Sequence, residues 1–145
     1  MIINGLNPAT ATRMRVIAAG ASIRSAALAF AEHQIGLLVV CGEDGRAVGV
    51  ISKSDLVGHL AGGGAGQTPV SPVMSQPIVS CAAHDDLYST WQMMRARGLQ
   101  NMPVLDDADR PVGVLDIRDA LAALLDEEQY QEQVLVNYIS GVGYR

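Results

Sequence analysis

The chain has 145 residues, 49% of them hydrophobic, with 10 Lys plus Arg against 15 Asp plus Glu and a formal net charge of −5. This length buries one good core, and an acidic balance with no basic stripe and no membrane-length apolar run excludes nucleic acid and the bilayer as partners. The N-terminus lacks the basic-then-apolar layout of a signal peptide, and a cytoplasmic location is expected.

Met1 to Arg13 is poorly patterned and is expected to be loosely ordered. Ser22 is then positioned to cap a helix whose apolar residues Ile23, Ala26, Ala27 and Phe30 recur at three- and four-residue spacing, with Gly36 as its stop. Two Val-rich runs follow, Leu37 to Cys41 and Ala47 to Ile51, around the turn Gly42-Glu43-Asp44-Gly45-Arg46. Such runs are strand signals, and Asp44-Gly45 suits a hairpin that needs a left-handed residue. A helix from about Ser54 to Ala61 ends in Gly62-Gly63-Gly64-Ala65-Gly66, a flexible linker. That tract lacks the Gly-Lys-Ser/Thr ending of a phosphate loop and follows a helix where the loop would follow a strand.

The same pattern then recurs. Asp85 or Asp86 caps a helix carrying Leu87, Trp91 and Met94 and stopping at Gly98, and the runs Met102 to Leu105 and Pro111 to Leu115 flank the turn Asp106 to Arg110. Asp109 stands where Gly45 stood, which Asp tolerates because it visits the left-handed region more readily than most residues. Pro103 has no backbone donor, so its segment should lie where the ladder does not need one. The last helix has no glycine stop and continues through Asp126-Glu127-Glu128-Gln129 toward Tyr130, Val134, Tyr138 and Gly141, a stripe at four-residue steps that suits packing on its own module or on a dimer mate.

A shift of 64 positions superposes the two halves without a gap, pairing Val16 to Ala61 with Ser80 to Leu125. Val40 falls on Val104, Arg46 on Arg110, Val48-Gly49-Val50 on Val112-Gly113-Val114, and Asp55 on Asp119. The organisation is therefore residues 1–66 as copy one with its N-terminal segment and linker, 67–125 as copy two, and 126–145 as a helical extension. The copies are each too small to stand alone and pack into one module. Cys41 and Cys81 are not equivalent in the repeat, and Cys41 reads as a small buried hydrophobe. His33, His59 and His84 show no ligand spacing, so no metal site is predicted.

Convergent polar groups occur once per copy, at the strand-to-helix junction holding Ser52 and Asp55, and again Asp116 and Asp119. A glycine upstream lets a backbone or ligand approach closely, and a helix N-terminus offers unpaired amides and partial positive charge to an anion. A phosphate suits Ser52, and one turn on, the Asp55 carboxylate can accept from the two hydroxyls of a ribose. The plain alternative is a capping pair at the start of a helix.

Gly49-Val50-Ile51-Ser52-Lys53-Ser54-Asp55, the lead-in Val73-Met74-Ser75 and Met102-Pro103-Val104, in order on a gapless duplication, resemble a cystathionine-β-synthase (CBS) domain pair over about Arg13 to Leu125. The resemblance implies an α+β fold of two small sheets packed together about a pseudo-twofold axis with flanking helices. It implies two clefts for adenine nucleotides, AMP, ADP or ATP, with NAD and S-adenosylmethionine as further ligands. By the same resemblance Asp55 holds the ribose and Ser52 the phosphate, with Gly49 and Lys53 beside them and Ile17, Ala18 and Leu38 flanking the adenine.

The second cleft would comprise Gly113, Asp116, Arg118, Asp119 and Gln100. There Asp116 replaces Ser52 and would repel a phosphate by about 4 kcal/mol at an effective dielectric of 20, offset in part by Arg118. Gln100 is uncharged where the family often places a basic residue, so the first cleft is the favoured one. The expected function is a non-catalytic nucleotide sensor, homodimeric, reporting to an unidentified regulated protein and requiring no metal. The alternative is a dimerisation module with vestigial clefts. No Ser or Cys beside a His and no metal cluster suggests an enzyme.

Overall fold

The computed structural model describes residues 1–140. In chain order the elements are a 3-10 turn at Ile3–Leu6, α1 (Ala9–Thr12), β1 (Val16–Ala18), α2 (Ile23–Glu32), β2 (Leu38–Cys41), β3 (Ala47–Ile51) and α3 (Lys53–Ala61). The second copy supplies α4 (Leu87–Arg97), β4 (Asn101–Leu105), β5 (Pro111–Asp116) and α5 (Ile117–Ser140). One sheet runs β1-β2-β3, with β1 parallel to β2 and β2 antiparallel to β3, and the other is the antiparallel pair β4-β5.

The 64-residue shift holds in the geometry. Ser22 caps α2 by accepting from the Ser25 amide at 3.1 Å, and its equivalent Asp86 caps α4 by accepting from Ser89 at 2.9 Å, which settles the choice between Asp85 and Asp86. Gly45 and Asp109 both take positive φ, 81° and 61°, so Asp109 adopts the left-handed turn conformation expected of it. The register slips at Val40/Cys41 and again at Val104/Leu105, a bulge duplicated with the fold. Gly98 ends α4 in the left-handed region, whereas α2 stops at Glu32, before Gly36. Gly36 has a different purpose: a Cβ there would collide with the Asn101 side chain.

Pro103 explains a departure from symmetry in the sheets. In copy one the Val39 amide donates to the Arg15 carbonyl at 3.1 Å and helps hold β1 on β2. Pro103 occupies the equivalent place without an N–H, and the counterpart of β1 shrinks to a single parallel bridge, Cys81 with Val104.

Each copy's lead-in is exchanged with the other. Leu6 and Val70 are equivalent by the shift, yet Leu6 is buried in the core of copy two with Ile3, Leu87, Met94, Met102 and Leu115, while Val70 is buried in that of copy one with Ile23, Phe30, Leu38 and Ile51. Gly49 and Gly113 make the crossing possible. A Cβ at Gly49 would collide with the Met74 side chain, and one at Gly113 would lie 3.0 Å from Thr10 Cβ, the residue equivalent to Met74. The expectation of a loosely ordered N-terminus is thereby corrected, because Ile3 is 1% exposed and pins the segment to copy two. A third apolar cluster, Leu37, Val39 and Val114, joins the two sheets face to face.

Among the described residues no helix is long and apolar enough to cross a membrane, and no group of three His, Cys, Asp or Glu side chains could hold a metal ion.

Candidate functional site

Two strand-to-helix junctions and two equivalent loops face one another across the pseudo-twofold axis. Between them lies a cavity of about 1300 Å³ whose wall includes Ser52, Lys53, Ser54 and Asp55 from copy one and Asp116, Ile117 and Arg118 from copy two. The loops before β2 and β4 close it, with residues 34–37 matched by their equivalents 98–101. The two clefts anticipated from the sequence thus open into one space, which Gln100 also lines.

On the copy-one side, β3 ends at Ile51 and α3 begins at Lys53, leaving Ser52 as the cap. Ser52 Oγ accepts from the Asp55 amide at 3.3 Å, while the Ser52 amide and hydroxyl donate to Asp55 Oδ2 at 2.9 and 3.0 Å, a full capping box. Asp55 Oδ1 accepts from the Ser75 hydroxyl at 3.1 Å. Ser75 is brought there by the exchanged lead-in, whose backbone pairs with Val50 in both directions at 2.8 and 3.1 Å. All three donors to Asp55 are neutral, and a carboxylate offers about four acceptor sites. The capping reading of this pair is therefore structurally real, and it leaves the carboxylate on the cavity wall with acceptor capacity to spare. Lys53 sits with its ammonium 6.0 Å from the centre of the Phe30 ring, over another wall residue.

The copy-two side is built from charges. Asp116, the last residue of β5, is only 3% exposed. It accepts from the Arg118 amide at 2.8 Å and from Arg118 Nη2 and Nε at 2.8 and 3.1 Å, with Arg13 Nη1 at 3.4 Å. Burial pushes its pKa up, but the hydrogen bonds from Arg118 and the charges of Arg13 and Arg118 outweigh it and hold the carboxyl below its ordinary value. Asp119 is forked by Arg13, through Nε to Oδ2 and Nη2 to Oδ1 at 3.0 Å. Two guanidiniums thus balance two carboxylates, so the repulsion anticipated at Asp116 acts against a compensated charge.

The remaining expected residues lie elsewhere. Leu38 is 1% exposed in the copy-one core, and its neighbour Leu37 lines the cavity instead, because side chains alternate along β2. Ile17 packs against the same core, Ala18 lies on the exposed side of β1, and neither reaches the cavity wall. Gly49 and Gly113 face the exchanged lead-ins and serve as backbone crossings. Arg13, Ser75 and Pro77 are wall residues that the sequence reading did not assign to a site. Their one available signal was the shift itself, which sets Arg13 opposite Pro77.

The family described as "CBS domain" matches residues 10–62 and 70–126. An uncharacterized 17.7 kDa protein of Acidianus ambivalens is 26% identical over 132 residues, covering 91% of this chain and 80% of that protein. The chain spans only 30% of a longer relative, the arabinose 5-phosphate isomerase GutQ of Salmonella typhi, with 30% identity over 98 residues. Among solved structures, a CBS domain protein of Pyrobaculum aerophilum complexed with AMP superposes with a TM-score of 0.73 at 26% identity, over 82% of this chain and 89% of that one. The CBS domain pair of protein MJ0100, in complex with 5-methylthioadenosine and S-adenosyl-L-methionine, shares the fold with a TM-score of 0.75 at 20% identity, over 88% of this chain and 98% of that one. Since the two matched segments take in both copies of the repeat and both junctions on the cavity, the chain belongs to the CBS domain family.

Proposed function

We propose that this chain is a non-catalytic regulatory module that binds an adenine nucleotide on the copy-one side of the cavity and reports adenylate state to a partner protein. The observation that carries this reading is Asp55, a carboxylate on the wall of a large cavity, one helical turn from a capped helix start and held only by neutral donors. A ribose diol donates to Asp55 in place of the serine hydroxyls. The phosphate lies toward the Lys53 and Ser54 amides, which the first turn of a helix leaves without intrahelical acceptors, and toward the Lys53 ammonium. The AMP complex of the Pyrobaculum aerophilum protein supports AMP as the first ligand to try.

A ligand shifts a regulatory equilibrium only by binding one arrangement better than the other, and here both copies contribute walls, so a bound nucleotide couples their spacing. Calorimetric titration with AMP, ADP, ATP, NAD and S-adenosylmethionine tests the reading. Binding of at least one of them, weakened about 10- to 100-fold by Asp55→Asn, is expected from loss of a charged hydrogen-bond acceptor. Uniform absence of binding, or indifference to Asp55→Asn, contradicts it.

One observation favours a second reading, an assembly module. The far part of α5 presents Tyr130, Val134 and Tyr138 to solvent, with Tyr130 71% exposed, a face suited to a homodimer mate.

A further inference from the structure

The repeat makes the two sides of the cavity a matched pair, and they differ in charge, Lys53 and Ser54 of one side corresponding to Ile117 and Arg118 of the other. Ser52 and Pro77 of one side correspond to Asp116 and Arg13 of the other, and Asp55 corresponds to Asp119, whose carboxylate is paired with a cation where Asp55 has hydroxyls. We infer that Arg13 limits the chain to one nucleotide, because its guanidinium takes up from within the molecule the Asp119 carboxylate that a second ribose would need. This rests on the nucleotide reading above and adds the stoichiometry and the residue that sets it.

The competition at Asp119 is unequal. Arg13 donates two parallel, charge-assisted hydrogen bonds to both carboxylate oxygens, whereas a diol offers two neutral hydroxyls to the same atoms. Displacing Arg13 would also remove its positive charge from beside the buried Asp116, 3.4 Å away. At Asp55 the exchange is like for like, ribose hydroxyls for those of Ser52 and Ser75, and Pro77 brings no cation.

The clamp is anchored through its backbone. Arg13 follows α1, its amide donates to the Ala9 carbonyl at 3.1 Å, and α1 is seated on copy two by Thr10 at Gly113. The hydrogen bond to Asp119 is also the main cause raising the Arg13 pKa, so the clamp is charged at every working pH. The cavities record the result. Asp55 lines the main cavity, while Asp119 lines a neighbouring one of about 680 Å³, and Arg13 belongs to the wall of both. The side chain therefore stands between Asp119 and the space its counterpart faces.

The test counts AMP per chain by calorimetry and native mass spectrometry. The wild type is expected to bind one. Arg13→Ala combined with Asp116→Ser removes both the clamp and the buried carboxylate from the copy-two side and is expected to bind two, returning to one when Asp119→Asn is added. Two AMP on the wild type, or one on a double variant that melts cooperatively, overturns the inference while leaving nucleotide binding intact. A wild type that binds no nucleotide overturns both. A readout free of folding artefacts comes from the wild type alone. The Arg13 Nε–H resonance, hydrogen-bonded to Asp119, is expected to keep its position and slow exchange at AMP saturation, and its loss or large shift on saturation contradicts the clamp.

Discussion

The difference between Ser52 and Asp116 looks like a lost phosphate site in the sequence, and in three dimensions it is a change of electrostatic economy at a single residue. Asp116 stands in the place of Ser52 but accepts from the amide two residues on, where Ser52 accepts from the amide three residues on, and its buried charge must be met by Arg118 and Arg13. Its folded pKa is depressed, so its contribution to stability is fully present above the ordinary carboxylate value of about 3.9 and is lost as pH falls through the depressed value. Asp116→Asn should therefore lower stability by on the order of 1–3 kcal/mol at pH 7. In urea titrations the gap between the two proteins should narrow from pH 7 to pH 2, and a gap of unchanged size would contradict the assigned role. The residues on which this depends were unevenly legible. Asp116 and Arg118 are two positions apart, and the sequence sets Arg118 against part of the Asp116 charge, but Arg13 is 106 positions from Asp119. No periodicity or motif links such a pair, and only the exchange of lead-ins brings them into contact.

Secondary-structure elements were the most legible scale, because the duplication states each of them twice. Caps at Ser22 and Asp86, left-handed turns at Gly45 and Asp109, and the missing donor at Pro103 all follow from local chemistry that a sequence displays. Gly36 was misread as a helix stop because a glycine kept for close packing against Asn101 is indistinguishable in sequence from one kept for its φ. The helix α5 matches α3 of copy one as far as Leu125 and has no counterpart beyond it. Its inner part packs on copy two through Ile117, Ala120, Ala123 and Leu124, and beyond that it carries Tyr130, Val134, Leu135, Tyr138 and Ile139 outward. Gly141, the predicted terminus of this stripe, lies outside the described residues. Truncation after Leu125 removes the exposed face and spares every cavity wall. If α5 serves a homodimer, light scattering should show the full chain as a dimer and the truncated chain as a monomer, with AMP affinity changed by less than about twofold. A full-length monomer would remove the assembly reading.

For the whole molecule, the decisive feature is that neither copy is complete. Each lends its lead-in to the other, so Leu6 and Val70 fill each other's cores, and both junctions open on one shared cavity. The repeat and the α+β pairing were legible in the sequence, but this exchange was not, since hydrophobic pattern reports which residues are buried and not in which of two similar cores. The exchange has a functional consequence. A ligand at Asp55 touches a copy-one helix start beside a lead-in, carrying Ser75, that connects directly to copy two, so its binding energy is felt by both halves. The most direct measurement is a crystal structure of the chain grown with AMP. The account predicts purine density in the main cavity, with a ribose hydroxyl about 2.6–3.2 Å from an Asp55 carboxylate oxygen and Arg13 still forked to Asp119. A nucleotide bound elsewhere, with the Ser52–Asp55 capping box untouched and the cavity empty, would contradict it.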